Sequence, residues 1–185
     1  MNSTFYEHKH KSEPEQNMEV RVVAALIRDK NGDVLLTQRD PGRTQSPTFE
    51  FPGGKVEEDE DDETALLREL KEELNVLVQV KKPAVFQTEN RLGGRKVKLL
   101  IYRCVLKDGS APIAKDVKGF EWVPTTKILE KKIPEASMAF VRELHQGRVS
   151  ELDESADDGD FEKEVPAAKV LRFIDVSKFV STEKK

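Results

Sequence analysis

The hydrophobic positions along this chain follow two periods, one typical of strands and one typical of helices. Residues 20–28 and 34–39 are runs of aliphatic residues with the composition of strands, and the Asn31-Gly32 dipeptide between them favours a tight hairpin turn. The pattern therefore predicts that these two strands pair with each other. Further strands are predicted at residues 49–51, 76–80, 84–88, 96–105 and 119–123.

The helical period begins near residue 59. Residues 59–63 are all acidic, which the dipole of a helix favours at its N-terminus, and leucines at positions 66, 67, 70 and 74 then recur at helical spacing. Asn75 is suited to the left-handed conformation that often ends a helix. The sequence thus predicts a helix that ends at Asn75, and residues 134–146 predict a second one.

The two ends of the chain differ in composition from its middle. Residues 1–17 are polar and lack a hydrophobic period, which predicts a disordered leader before a domain at 18–149. Residues 151–164 contain eight acidic residues and one lysine, which predicts an acidic linker over 150–164. The segment 165–185 is again apolar as far as residue 180, and the pattern leaves two alternatives open: it docks on the domain, or it binds a partner.

Composition and charge exclude several classes of protein. Charged residues make up 36% of the 185 residues, yet the net charge is only -4, so no strong overall field favours nucleic acid or an anionic membrane. Cys104 is the only cysteine, so neither a disulfide framework nor a CxxC metal site is available. The chain has no run of about 18 apolar residues. We expect a cytoplasmic protein, with the nucleus as an alternative, and leave its oligomeric state open.

Three glutamates give the predicted helix a chemical character. Glu69, Glu72 and Glu73 stand at positions i, i+3 and i+4, which places three carboxylates on one arc of about 100°. Such like charges repel, and a hard divalent cation such as Mg²⁺ would offset the repulsion and could bridge to a phosphate. The alternative is a solvated helix face. The Gly53-Gly54 turn just upstream, which lets a phosphate approach the backbone closely, favours hydrolysis of a phosphoanhydride.

A motif over residues 54–76 carries a resemblance to a known family. Its elements are Gly54, Glu60, Arg68-Glu69-Leu70, Glu72-Glu73, Asn75 and Val76. This pattern resembles the Nudix box, with Asn75 where the family has glycine. The resemblance implies an α/β/α sandwich, in which a mixed β-sheet lies between helices.

The resemblance also implies roles for particular residues. Mg²⁺, with Mn²⁺ as a substitute, would be bound by Glu69, Glu72, Glu73 and the carbonyl of Gly53. Arg68 would hold Glu60 or Glu69 in place; alternatively, Arg68 is an exposed ion pair of the helix. The catalytic base would be a glutamate of the box or a carboxylate of a later loop. At that loop position stands Asp116, which could equally be a turn residue, with Glu121 as the second candidate.

Two flanking stretches narrow the substrate class. Leu35-Leu36-Thr37-Gln38-Arg39 and the segment 49–55 resemble the MutT-like branch of nucleoside triphosphate pyrophosphohydrolases, which implies that Arg39, Lys55 and Phe51 bind the nucleotide. The implied reaction converts an oxidised or ordinary NTP or dNTP into NMP and pyrophosphate. However, residues 133–137 lack the asparagine that reads oxidised guanine in MutT. The alternatives are another nucleoside diphosphate derivative (an NDP-sugar, ADP-ribose, a dinucleoside polyphosphate or CoA) and a catalytically silent binding module.

Overall fold

A computed structural model describes residues 19–39, 48–92 and 95–149. Within these residues the chain forms seven strands, two α-helices and one short 3₁₀ turn at Ile128–Glu130. The strands are β1 (Glu19–Ile27), β2 (Val34–Arg39), β3 (Thr48–Glu50), β4 (Gly53–Lys55), β5 (Val78–Leu92), β6 (Arg95–Leu106) and β7 (Gly119–Val123). The helices are α1 (Asp62–Leu74), between β4 and β5, and α2 (Glu135–His145), after the 3₁₀ turn.

The strands form two sheets. The larger sheet has the order β4-β1-β6-β5, and it is mixed because β1 and β6 run parallel while its other neighbours are antiparallel. The smaller sheet is antiparallel, with the order β3-β2-β7. The predicted mixed sheet is confirmed, and the second sheet adds a feature that the sequence did not indicate.

Strand β1 separates two hydrophobic clusters, because successive side chains of a strand point to opposite faces. On one face α1 packs its buried leucines, and on the other face α2 packs Phe140 and its neighbours. The first cluster takes Val23, Ala25 and Ile27 from β1, and the second takes Ala24 and Leu26. The α/β/α sandwich is therefore confirmed.

Helix α1 has a defined residue at each end. The side chain of Asp61 accepts a hydrogen bond of 2.7 Å from the backbone N–H of Thr64 and so caps the N-terminus. Asn75 ends the helix with φ 54° and ψ 33°, and its N–H donates to carbonyls of the last turn. The prediction for Asn75 is confirmed, and both caps fix the helix that carries the box glutamates.

The predicted pairing of the first two strands is wrong. Asn31 and Gly32 do form a turn, in which Asp29 accepts backbone hydrogen bonds from Asn31 and Asp33. Beyond one isolated bridge between Arg28 and Val34, however, β1 pairs with β4 and β6 while β2 pairs with β3 and β7. The local turn signal is correct, but the two strands belong to different sheets because each pairs with strands farther along the chain.

Two predicted strands at 76–80 and 84–88 are a single strand. Strand β5 runs through both and pairs with β6 along its length, with a register irregularity between Lys81 and Phe86. Pro83, which lacks an N–H, lies within that irregularity, so the break in the hydrophobic pattern marks a bulge and not the end of a strand.

The remaining boundary predictions concern segments outside the described residues. These are the leader at 1–17, the acidic linker at 150–164 and the C-terminal segment 165–185, which stay predictions. No helix in the described part of the chain is long and apolar enough to cross a membrane. The cytoplasmic location also stays a prediction.

Candidate active site at the Gly53-Gly54 turn

The sequence predicts a turn at Gly53-Gly54, but the structure places both glycines in strand β4, directly against strand β1. We keep the name Gly53-Gly54 turn for these two residues. Gly53 pairs with Ala24 and adopts φ +145°, a conformation that residues with a side chain rarely take. A Cβ atom on Gly53 would lie 2.2 Å from the carbonyl oxygen of Val23. Glycine is therefore required here, and the close approach brings the turn under helix α1.

Two of the predicted carboxylates meet this turn. A Cβ atom on Gly54 would lie 2.3 Å from the carboxyl carbon of Glu69, so the absence of a side chain makes room for that carboxylate. The N–H of Gly53 donates a hydrogen bond of 3.1 Å to the carboxylate of Glu73. Turn and helix thus position Glu69 and Glu73 side by side, one turn of helix apart.

Arg68 connects the loop before the helix to the helix itself. Its guanidinium donates to both carboxylate oxygens of Glu60, at 2.8 and 2.9 Å, and to the backbone carbonyl of Lys55 at 3.0 Å. It also donates to Glu69 at 2.9 Å and, more weakly, to Glu72 at 3.4 Å. The two contacts proposed as alternatives for Arg68, with Glu60 and with Glu69, are both present.

These contacts shift the pKa values of the partners in the expected directions. The hydrogen bond from Arg68 lowers the pKa of Glu60, which also accepts a hydrogen bond of 3.1 Å from the backbone N–H of Glu57. The hydrogen bond to Glu60 likewise raises the pKa of Arg68. Both groups are therefore held in their charged forms, and Glu60 fixes the orientation of the guanidinium.

Glu73 is the most strongly perturbed carboxyl of the site. Burial is the largest cause that raises its pKa to about 7, and the charges of Glu69 and Glu50 raise it further. The hydrogen bond from Gly53 and the charge of Arg39 act in the opposite direction. Ionised Glu73 thus lies in a partly buried position with more negative than positive neighbours, so a bound cation would stabilise its charged form.

The donor set fits a hard divalent cation in its chemistry. Glu69 and Glu73 supply carboxylate oxygens beside the turn, and Glu72 supplies a third on the exposed side of the helix, where its side chain is 52% exposed. In the described residues, no three acidic, histidine or cysteine side chains already form a metal-binding group. Hydrogen bonds from Arg68 and Gly53 hold these glutamates, so a cation would have to compete for their oxygens.

Glu50 is a site residue that the sequence reasoning missed. It lies opposite Thr37 in the small sheet, on the same face as Arg39, whose guanidinium is 3.5 Å from the Glu50 carboxylate. Its charge also acts on Glu73. The signal in the sequence is a charged residue between Phe49 and Phe51 in a predicted strand, but only the register between β2 and β3 shows which charges it meets.

The structure places the side chain of Phe51 in the core and not beside the glutamates, and its predicted contact with substrate stays a prediction. Its side chain is only 5% exposed and packs edge-on against Phe140, with 5.2 Å between ring centroids. Phe51 therefore belongs to the hydrophobic core under α2, because the strand alternation points it away from the glutamates. Arg39 and Lys55, in contrast, have exposed side chains. The charge of Arg39 acts on Glu73, whereas Lys55 lies opposite Val22, which packs against the second cluster.

The two candidates for a later carboxylate are placed differently. Asp116 is exposed and follows Lys115, whose N–H donates 2.9 Å to the carbonyl of Glu73, so it lies near the C-terminal end of α1. Glu121 lies opposite Leu36 of the second cluster, on the other face of the small sheet from Glu50, and forms an ion pair with Lys131. The structure therefore argues against Glu121 and leaves Asp116 as the loop candidate.

Comparison with known proteins places this site in a family. Residues 18–144 match the family model described as NUDIX domain. The CTP pyrophosphohydrolase of Escherichia coli K12 is 49% identical over 57 residues, which are 31% of this chain and 42% of that protein. The 8-oxo-dGTP diphosphatase of Haemophilus influenzae is 45% identical over 58 residues, 31% of this chain and 43% of that protein.

The similarity to solved structures extends over more of the chain. The chain aligns with less than half the length of these two curated relatives. The solution structure of the E. coli ORF135 protein, in contrast, matches with a TM-score of 0.63 and 28% identity, covering 79% of this chain and 100% of that one. Because the family model spans well over half of the sequence and includes the helix and turn described above, the chain belongs to the Nudix family.

Proposed function

We propose that this protein is a Mg²⁺-dependent hydrolase that converts a nucleoside triphosphate into a nucleoside monophosphate and pyrophosphate. Water adds across the phosphoanhydride that links the α- and β-phosphates, so one product keeps the nucleoside and the other leaves as pyrophosphate. The observation that carries this proposal is the convergence of Glu69 and Glu73 on the Gly53-Gly54 turn. The two curated relatives, an 8-oxo-dGTP diphosphatase and a CTP pyrophosphohydrolase, support the triphosphate class.

The residues that would hold the metal are Glu69, Glu72 and Glu73, together with the backbone of Gly53. A divalent cation bound there neutralises phosphate charge and lowers the pKa of a coordinated water. The chain supplies the rest of the arrangement. Helix α1 is capped at both ends, and Arg68 ties it to the loop before it, so the three glutamates are fixed relative to the turn.

The phosphates would be bound by cations beside the turn. Arg39 and Lys55 are exposed, and Arg39 lies close to Glu50 and Glu73. Salt bridges at such exposure are weak, so the guanidinium of Arg39 can exchange its carboxylate partner for a phosphate oxygen at little cost. We assign Arg39 and Lys55 to the triphosphate, Arg68 and Glu60 to positioning, and Asp116 to proton transfer from the loop.

A release assay with Mg²⁺ tests the proposal. The substrates are ordinary and oxidised NTPs and dNTPs, an NDP-sugar, ADP-ribose, a dinucleoside polyphosphate and CoA. We expect pyrophosphate and NMP from a triphosphate. With Glu72→Gln, turnover should fall by about 10²–10³-fold, because one of the three carboxylates that would hold the metal is lost. Glu58→Gln, at an exposed carboxylate in the loop before α1, is the matched control and should keep full turnover.

Other outcomes contradict the proposal in distinguishable ways. If only a diphosphate-linked compound is cleaved, the substrate class is wrong while the metal residues stand. If Glu72→Gln turns over normally, the metal assignment is wrong. If the whole panel is inert with both Mg²⁺ and Mn²⁺, the chain is a silent binding module, which equilibrium binding of the same nucleotides would then detect.

A further inference from the structure

One end of the four-stranded sheet is uncovered on the face that carries α2. Helix α2 covers this face around Ile101 of β6 and Phe86 of β5, which belong to or pack against the second hydrophobic cluster. Farther along β6 the cover ends, and Val105 is 45% exposed. Gln79 lies opposite Val105, and Leu77, two residues earlier, is on the same face and 54% exposed. We call the surface formed by Leu77, Gln79 and Val105 the open end of the sheet.

The open end is bordered by basic side chains. Lys81 lies opposite Arg103 in the register of β5 and β6, and Lys107 follows two residues after Val105 on the same face. On the neighbouring strand, Leu26 lies opposite Arg103, so Arg28 is next to Val105. Among the described strand residues on this face at this end, none is acidic. The open end therefore has an exposed apolar centre, formed by Leu77 and Val105, and a border of basic side chains.

The chain leaves the domain on this side of the sheet. Helix α2 ends at His145, and Val149, the last described residue, packs against the cluster on the same face as the open end. The following residues 151–164 contain eight acidic residues and one lysine. An apolar stretch then begins, with Val170, Leu171, Phe173 and Ile174. The order of these segments, acidic and then apolar, complements a surface with a basic border and an apolar centre.

We propose that residues 165–180 of the same chain cover the open end of the sheet, with the acidic residues 151–164 along its basic border. The fifteen residues 150–164 can span at most roughly 50 Å, whereas the radius of gyration of a domain this size is about 14 Å. The reach is therefore sufficient. A tether of this kind gives an effective concentration on the order of millimolar, which favours the chain's own segment over a second copy.

Disulfide trapping in the full-length chain tests the contact. The variant Leu77→Cys with Phe173→Cys is oxidised at low protein concentration, and the buried Cys104 is left in place. The matched control is Leu67→Cys with Phe173→Cys, because Leu67 is also exposed, at 37%, but lies on α1 at the opposite face. We expect an intramolecular disulfide in the monomer that forms at least about ten times faster in the first pair.

Three results would overturn the proposal. Equal rates for the two pairs would mean that the segment samples both faces. Disulfides formed only between molecules would mean that a second copy covers the open end. The absence of any bridge in the first pair, while the control pair still bridges, would place the segment elsewhere.

A second experiment tests the charges without new cysteines. Hydrogen exchange of the backbone amides in residues 165–180 is compared between the wild-type chain and Lys81→Glu with Lys107→Glu. We expect exchange at least about ten-fold slower in the wild type, because the reversed border repels the acidic residues. Lys127→Glu with Lys132→Glu, at two exposed lysines after β7, should leave the exchange unchanged. Exchange at the rate of an unstructured peptide in the wild type would refute the proposal.

Discussion

The carboxyl group of Glu69 occupies the space that a side chain on Gly54 would need. A Cβ atom there would lie 2.3 Å from the carboxyl carbon and 2.3 and 2.6 Å from the two oxygens. Because Gly54 has no side chain, the carboxylate of Glu69 can lie against the backbone of the turn. Neighbouring Gly53 has a different obstacle, the backbone of β1. The two glycines should therefore respond differently to the same substitution.

Gly54→Ala should reduce activity much more than stability. The obstacle is the far end of a flexible side chain, so Glu69 can move aside, at a cost of about 1 kcal/mol in the free energy of unfolding. A displacement of about 1 Å at a carboxylate that must meet the metal and substrate should lower kcat by about 10²-fold. Steady-state kinetics and urea unfolding of the same preparation check both values. Normal kcat would mean that the position of Glu69 is unimportant.

Gly53→Ala should reduce stability itself. Its Cβ would meet the carbonyl oxygen of Val23 at 2.2 Å and the Cα of Ala24 at 2.8 Å, neither of which can move without disturbing β1. We expect a loss on the order of 3 kcal/mol in the free energy of unfolding. Gly109→Ala is the control, since Gly109 has φ +75° but nothing within 4 Å of an added Cβ, so only about 1 kcal/mol should be lost. Equal losses of stability in the two variants would contradict the explanation that the backbone of β1 blocks a side chain on Gly53.

The parts of the structure that the sequence predicts are those that depend on near neighbours. Asn75 ends α1 as expected because the left-handed cap depends on its own backbone and on the last turn of the helix. The glutamates of the box share an arc for the same reason, since helical spacing alone determines it. The close approach at Gly53 and Gly54 is also predicted, but the sequence predicts a turn where the structure has strand β4, and it does not show which atoms approach.

What could not be predicted depends on distant pairing. The Asn31-Gly32 turn forms, yet no local feature indicates that β1 prefers β6, which begins nearly seventy residues later. The meeting of Arg39 with Glu50 likewise depends on the register of β2 and β3. The motif predicts that Phe51 binds the nucleotide because Phe51 lies beside the Gly53-Gly54 turn. Only the packing of the sheet shows that its side chain lies in the core. A change of one residue in register would reverse such assignments.

Replacement of Arg68 by lysine should impair catalysis although the charge is kept. A lysine cannot contact both oxygens of Glu60 while it also reaches Glu69 and the carbonyl of Lys55, as the guanidinium does. We expect activity to fall by about 10–100-fold, as for other residues that orient metal ligands. The KM for Mg²⁺ should rise as well, and activity measured over a range of Mg²⁺ concentrations checks both effects.

A matched control and a double-mutant cycle separate positioning from a general loss of charge pairing. Arg148 makes a similar two-point contact with Glu143, at 2.7 Å in each case, but at the C-terminal end of α2, which packs on the opposite face of the sheet from α1, so Arg148→Lys should keep full activity. If Arg68 acts through Glu60, Glu60→Gln combined with Arg68→Lys should cost less than the product of the single effects. Strict additivity would show that the two residues act independently.

Cys104 should resist thiol reagents in the folded protein. Its thiol is buried, and burial, with a smaller effect from the charge of Glu63, raises its pKa to about 12. Compared with an ordinary thiol, the thiolate fraction at pH 8 is lower by about three orders of magnitude. A spectroscopic thiol reagent should therefore react at once after denaturation but very slowly before it. In Ile113→Cys, where the side chain is 57% exposed, one thiol should react quickly and Cys104 should remain slow.

The perturbed carboxyl of Glu73 should make the metal-free protein less stable as pH rises. Its pKa is raised to about 7 from the ordinary value of 4.5, so between these values the folded state retains a proton that the unfolded chain has lost. Stability then falls as pH rises from about 4.5 through about 7, by at most about 3 kcal/mol, and levels off above that. Urea unfolding with a chelator at pH 5 and pH 8 measures the decline.

The substitution Glu73→Gln identifies the source of that decline. Glutamine keeps an oxygen that can accept the hydrogen bond from Gly53 but carries no charge, so the variant should lose less stability between pH 5 and pH 8 than the wild type. Addition of Mg²⁺ should shrink the wild-type decline, since a bound cation offsets the repulsion that Glu69 and Glu50 impose. A variant with the full wild-type decline would place the responsible group elsewhere. A decline unaffected by Mg²⁺ would instead count against Glu73 as a ligand.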